Sequence, residues 1–74
     1  MEKIPGTAYT AIIKRDGAWW IGWVEEVTGV NAQERTRGRL LKSLAIILRE
    51  ALEMNRAEAR HAAVADYEEV ALVP

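Results

Sequence analysis

The chain contains no cysteine. That excludes disulfide scaffolds and thiolate metal sites, and it fits a reducing, cytoplasmic setting, which is the localisation expected here. Its one histidine, His61, cannot build a histidine-based metal site alone. Nor does it have a serine or cysteine nucleophile close by, since the only serine, Ser43, falls in a leucine-rich run. An excess of one charge is also missing: 10 basic residues against 11 acidic ones leave a net charge of −1. Such a balance gives no global attraction to nucleic acid or anionic lipid. The longest unbroken apolar run, Leu44 to Leu48, is far shorter than a membrane span. The opening stretch, Met1 to Gly6, is polar and holds Pro5, unlike a signal peptide.

What remains is 74 residues, half of them hydrophobic, which is too apolar for a disordered chain. One domain spanning 1–74 is expected. A chain this small hides only roughly 60% of its unfolded surface, so association with itself or a partner should add stability.

Thr7 to Lys14 follows the Pro5-Gly6 turn signal and is rich in β-branched and aromatic residues, as a strand requires. Asp16-Gly17 then reads as a two-residue hairpin turn, followed by a second strand over Ala18 to Val24. That turn sets a register in which Arg15 opposes Ala18, Ile13 faces Trp20, Ala11 faces Gly22 and Tyr9 faces Val24. One sheet face then collects these apolar side chains, with a small Ala11/Gly22 row where a helix can come close. The other face collects Lys14 with Trp19, Ile12 with Ile21, and Thr10 with Trp23. It is too apolar to be a plain solvent face.

Glu25 to Thr28 is a polar connection, Gly29 a turn residue, and Val30 to Gln33 a short third strand. Thr36 suits a helix N-cap, because its hydroxyl can accept from an orphan backbone N–H. The helix is expected from about Arg37 to Asn55. Leu40, Leu41, Leu44, Leu48, Ala51 and Leu52 lie on one side, and Lys42, Ser43, Arg49, Glu50 and Glu53 lie opposite. Ile46 is the anomaly, an apolar residue in the middle of the polar arc. Alanine-rich Ala57 to Ala65 predicts a second short helix, and Tyr67 to Val73 a final strand. The expected fold is α+β: a three-stranded antiparallel β-meander, a long helix on one face, a short helix and a last strand, in the order β-β-β-α-α-β.

The run W-W-I-G-W-V-E-E-V-T-G-V-N-A-Q, followed by E-R-T and a leucine-rich helix, resembles the HicB-like antitoxin family. The likeness covers about residues 7 to 55, and more weakly the tail through Val73. Thr36 matches the family's helix-opening threonine, and Leu40, Leu41, Leu44, Ile47, Ala51 and Leu52 fall where its helix is apolar. The resemblance implies a partial ribonuclease-H-like fold, self-association, and a partner: a small HicA-type RNA-cleaving toxin that the antitoxin covers. The chain departs from the family pattern at two places. Glu25 and Thr28 stand where the family's turn prolines would be, and Arg37-Gly38-Arg39 opens a helix that more often begins with acidic residues. Many members add a C-terminal DNA-binding module; a short form without one is expected here, and with it no DNA binding.

The candidate sites follow from these faces. Trp19, Ile21, Trp23 and Ile12 form a surface suited to burial against another chain, because tryptophan offers large area and an N–H. Ile46 is a further contact point. Cover by the predicted short second helix is the competing explanation for the same face. Arg35, Arg37, Arg39 and Lys42 make a basic cluster, which reads as a solvated helix end or as a patch for an acidic partner or RNA; no glycine-rich phosphate loop accompanies it. Asp16, Glu25, Glu26, Asp66, Glu68 and Glu69 would have to converge to bind the metals of a nuclease. Their places in turns and on alternating strand positions argue against that. The expectation is a protein-binding module with no catalytic residues, cofactor or metal. The alternative is a stand-alone homo-oligomeric regulatory or RNA-binding domain with no toxin.

Overall fold

The computed structural model describes residues 8–72. It is an α+β arrangement of three strands and one helix: β1 (Ala11–Asp16), β2 (Trp19–Val24), β3 (Asn31–Glu34) and α1 (Arg37–Ala63). The strands form an antiparallel meander in the order β1-β2-β3, and α1 packs on one face of it.

The first hairpin turns at Gly17-Ala18, one position later than the sequence suggests. Gly17 is left-handed at φ 61° while Ala18 is not, the sign pattern of a type II′ turn. A type I′ turn at Asp16-Gly17 would have forced Asp16 into that region too. The observed turn puts the only left-handed residue at a glycine, where it meets no Cβ penalty. Sliding a two-residue bend by one position shifts every cross-strand pair by two. Ile13 therefore pairs with Gly22, Ile12 with Trp23, Ala11 with Val24 and Arg15 with Trp20. Because the side-chain period is also two, each residue keeps its expected face while changing its partner. Tyr9 precedes the strand and is exposed, so it does not line the inner face as expected. Thr10 likewise precedes it, while Thr7 lies outside the described residues.

The inner face carries Ile13, Trp20, Gly22 and Val24, extended by Ala32 and Glu34 of β3. Gly22 is crowded by both β1 and the helix. A Cβ there would lie 2.8 Å from the Ile12 carbonyl oxygen, 2.9 Å from Ile13 Cγ2 and 3.2 Å from Leu40 Cδ2. The core is Val24, Val30, Leu40 and Leu44, with Val27, Ile47, Leu48 and Ala51 packed around it. Burial of each leucine contributes roughly 1.5–3 kcal/mol.

Thr36 caps α1 as expected: its Oγ1 accepts from the Arg39 N–H at 3.2 Å. A second tie joins helix to sheet, with Ser43 Oγ donating to Glu34 Oε2 at 2.8 Å. That bond satisfies a half-buried carboxylate on the inner face.

The helix does not stop near Asn55. It runs unbroken for 27 residues, about 40 Å, so the predicted second helix is its continuation. Nothing in Asn55-Arg56 breaks a helix, and the alanines that follow favour it. Its packing on the sheet ends near Ala51, and from Glu53 to Leu72 every residue is exposed. The radius of gyration is 15.1 Å, against about 11 Å for a compact chain of this length. The final strand is not formed over residues 67–72, and Val73 lies outside the described residues. The helix carries this segment away from every strand edge, so it has no ladder to join. It folds back on the helix end instead, where the Arg60 guanidinium bonds Glu69 Oε1 at 3.1 Å.

Candidate functional site

The parity of β2 places Trp19, Ile21 and Trp23 on the face turned away from α1, beside Ile12, Lys14 and Asp16 of β1. On β3 the same parity adds Asn31 opposite Trp23 and Gln33 opposite Ile21. No element of the described residues covers this face. Ile12 is 37% exposed, Trp19 36% and Trp23 42%. The predicted short helix that might have lain over it is instead the far end of α1, which packs on the other face and runs on past the sheet.

Between β2 and β3 this face holds a shallow groove of about 380 Å³, walled by Ile21 and Trp23 on one side and Asn31 and Gln33 on the other. Its floor is the backbone of Gly22 and Ala32, whose small or absent side chains point to the helix. An apolar wall facing two amides suits a ligand with an apolar body and a polar edge, which describes a peptide or protein surface.

The structure joins two groups that the sequence presents separately. Arg35, first of the basic cluster, follows β3 by one residue and places its guanidinium carbon 4.1 Å from the centre of the Trp19 ring. Such a contact is worth about 0.5–1 kcal/mol at an exposed site. It also holds the indole flat beneath a cation. Arg37, Arg39 and Lys42 belong to the first turns of α1 and are exposed, with no acidic residue in the first turn to balance them. Arg15 shares the inner face and lies 5.5 Å from the centre of the Trp20 ring.

Ile46 does not join the tryptophan face. It is 49% exposed on the side of α1 opposite Leu40 and Leu44, and so on the opposite side of the molecule from Trp19 and Trp23. Asn31 and Gln33 are the site residues that sequence reasoning missed. Their signal was the two-residue period of β3 counted from Ala32, once a partner for Gly22 was known.

The carboxylates are scattered. Asp16 ends β1, Glu26 accepts from the Thr10 N–H at 2.8 Å, and Glu69 is held by Arg60. Among the described residues no group of three or more histidine, aspartate or glutamate side chains is placed to hold a metal ion. His61 is exposed in the last turn of α1. Among the described residues no helix is long and apolar enough to cross a membrane. Comparison with protein-family models, curated proteins and solved structures gives no match.

Proposed function

We propose that this chain is a HicB-like, antitoxin-type binding module that neutralises a small HicA-type RNA-cleaving toxin by steric occlusion. The observation that carries the reading is the uncovered outer sheet face of Ile12, Trp19, Ile21 and Trp23. Two tryptophans presented on the rigid central strand of a sheet supply hot-spot area at little entropic cost. The amides of Asn31 and Gln33 would satisfy polar groups at the rim of the contact. Lys14, Asp16 and Arg35 would set its orientation by charge. The resemblance in the W-W-I-G-W-V strand and the Thr36-led helix supplies the partner class, and a ribonuclease-H-like relationship of the fold belongs to the same proposal.

The test is inhibition. A HicA-type toxin encoded beside this chain should lose RNA cleavage when the two are mixed in equal amounts, and Trp23→Glu should restore cleavage. Lack of any complex with that toxin, or full inhibition by the Trp23→Glu variant, would count against the reading.

A second reading is RNA binding, and the observation favouring it is the Arg35 guanidinium stacked on Trp19, a cation beside an aromatic platform. Binding of a single-stranded oligonucleotide that weakens steeply with salt and is lost in Arg35→Ala would favour it over the toxin.

A further inference from the structure

The outer edge of β3 is open. Among the described residues β3 pairs with β2 alone, so its second side carries no ladder. Two hydrogen bonds establish which backbone groups that side presents. Val24 donates its backbone N–H to the Val30 carbonyl at 3.0 Å, and Glu25 donates to that of Thr10 at 2.9 Å. Antiparallel pairs alternate between bonded and non-bonded, so Trp20, Gly22 and Val24 bond toward β3 while Trp19, Ile21 and Trp23 bond toward β1. Ala32 and Glu34 therefore answer β2, and Asn31 and Gln33 turn their N–H and C=O groups to the open edge. Lysine, proline and bulges, the usual protection of an edge, are missing from this strand. The opposite edge, β1, carries Lys14, Arg15 and Asp16.

One flank of α1 stands over that edge. Arg39, Ser43, Ile46 and Glu50 succeed one another at steps of four, three and four, the spacing of one helix face. Ser43 identifies the side, because its hydroxyl reaches Glu34 of β3 at 2.8 Å. Only Arg35 and Thr36 separate β3 from α1, which packs back over the sheet, so strand and helix run in opposite senses. Arg39 then lies toward the Glu34 end of the edge and Glu50 toward the Asn31 end, and both are exposed. Between them stands Ile46, 49% exposed. The step between flank and edge is thus cationic at one end, apolar in the middle and anionic at the other.

We propose that an extended segment of a partner protein adds to β3 as a fourth strand, antiparallel to it, beneath this flank. The N–H and C=O groups of an open edge are matched in register by another extended backbone, which fixes the class of occupant. The charges fix its composition and direction. Running antiparallel, the segment begins beside Arg39 and ends beside Glu50, so it carries an acidic residue first and a basic residue last. Alternate residues between them are apolar and face Ile46, which gives the isoleucine stranded among charges a contact. The others lie on the outer face beside the amides of Asn31 and Gln33. Arg39 and Glu50 are about 17 Å apart along the helix, and seven extended residues span about 20 Å, so one short strand reaches both. This edge is distinct from the tryptophan face, and its use does not depend on the partner being a toxin.

Titration calorimetry with the peptide Glu-Thr-Val-Thr-Val-Thr-Lys, capped at both ends, tests the addition. The wild-type chain should bind one peptide. Ile46→Lys should weaken binding by about tenfold or more, with the helical circular dichroism signal kept. N-methylation of the central threonine, whose N–H faces β3, should weaken it as much, while N-methylation of the valine before it, whose N–H faces away, should leave it unchanged. Exchanging the peptide's glutamate and lysine should weaken it, and Trp23→Glu should not. Absence of binding at millimolar peptide would overturn the proposal, as would equal effects of the two N-methylations. Loss of binding in Trp23→Glu would place the peptide on the outer face instead, and a wild-type dimer that the peptide breaks apart would assign the edge to a second copy. No toxin enters the assay, so failure here leaves the reading of the tryptophan face to its own test.

Discussion

The two faces of the central strand are almost equally apolar, yet only one became a core. Trp20, Gly22 and Val24 point to the helix, while Trp19, Ile21 and Trp23 point away. Val24 is 5% exposed and Trp23 42%, although the two are neighbours in the chain. The difference lies in what the rest of the chain supplies. The described residues hold one long helix, and a single helix covers one side of a sheet. Gly22 decides which side, because its missing side chain lets Leu40 approach the backbone. Hydrophobicity thus marks residues that need burial, and the topology of the covering layer decides which of them find it within the chain. Tryptophans left without cover are then surface with a large free-energy gain on contact with a partner.

Substitutions on the two faces should therefore differ sharply in their effect on stability. The largest loss is expected on the inner side: Leu40→Ala should cost about 2–5 kcal/mol in urea or thermal unfolding, because Leu40 is 0% exposed at the centre of the core. Gly22→Ala should cost about 1–3 kcal/mol, since its Cβ would fall 2.8 Å from backbone that cannot yield cheaply. A neutral change in melting temperature would mean that β1 and Leu40 do not crowd that position. Thr36→Ala removes the cap that holds the start of the packed half of α1, and about 1 kcal/mol is expected from the same unfolding curve. Trp23→Glu on the outer face should fall within about 0.5 kcal/mol of the parent. A loss comparable to that of Leu40→Ala would show that the outer face is buried in the folded state, and the contrast between the faces would collapse.

The candidate site was partly legible in the chain. The sorting of Trp19, Ile21 and Trp23 away from Trp20 and Val24 needed only strand alternation, and it survived a misplaced turn because a two-residue slip preserves parity. The pairings themselves did not survive. They depended on which residue turned left-handed, and a type II′ turn at Gly17-Ala18 competes with a type I′ turn at Asp16-Gly17 over one φ angle. The contact of Arg35 with Trp19, and the separation of Ile46 from the tryptophans, required knowing where β3 lies and which way α1 faces.

The chain ending shows the same boundary from the other side. Tyr67 to Val70 has the composition of a strand, but a strand exists only beside another, and α1 carries this segment beyond the reach of β1 and β3. Local chemistry determined what is local here: the Thr36 cap, the leucine stripe of α1, the alternation of β2 and the α+β character of the whole. The length of the helix past Asn55, the pairing partners in the hairpin, the open outer face and the unpaired tail were decided in three dimensions. Each depends on which surfaces meet, and a hydrogen-bond ladder or an apolar contact has no free energy until its other half is in place.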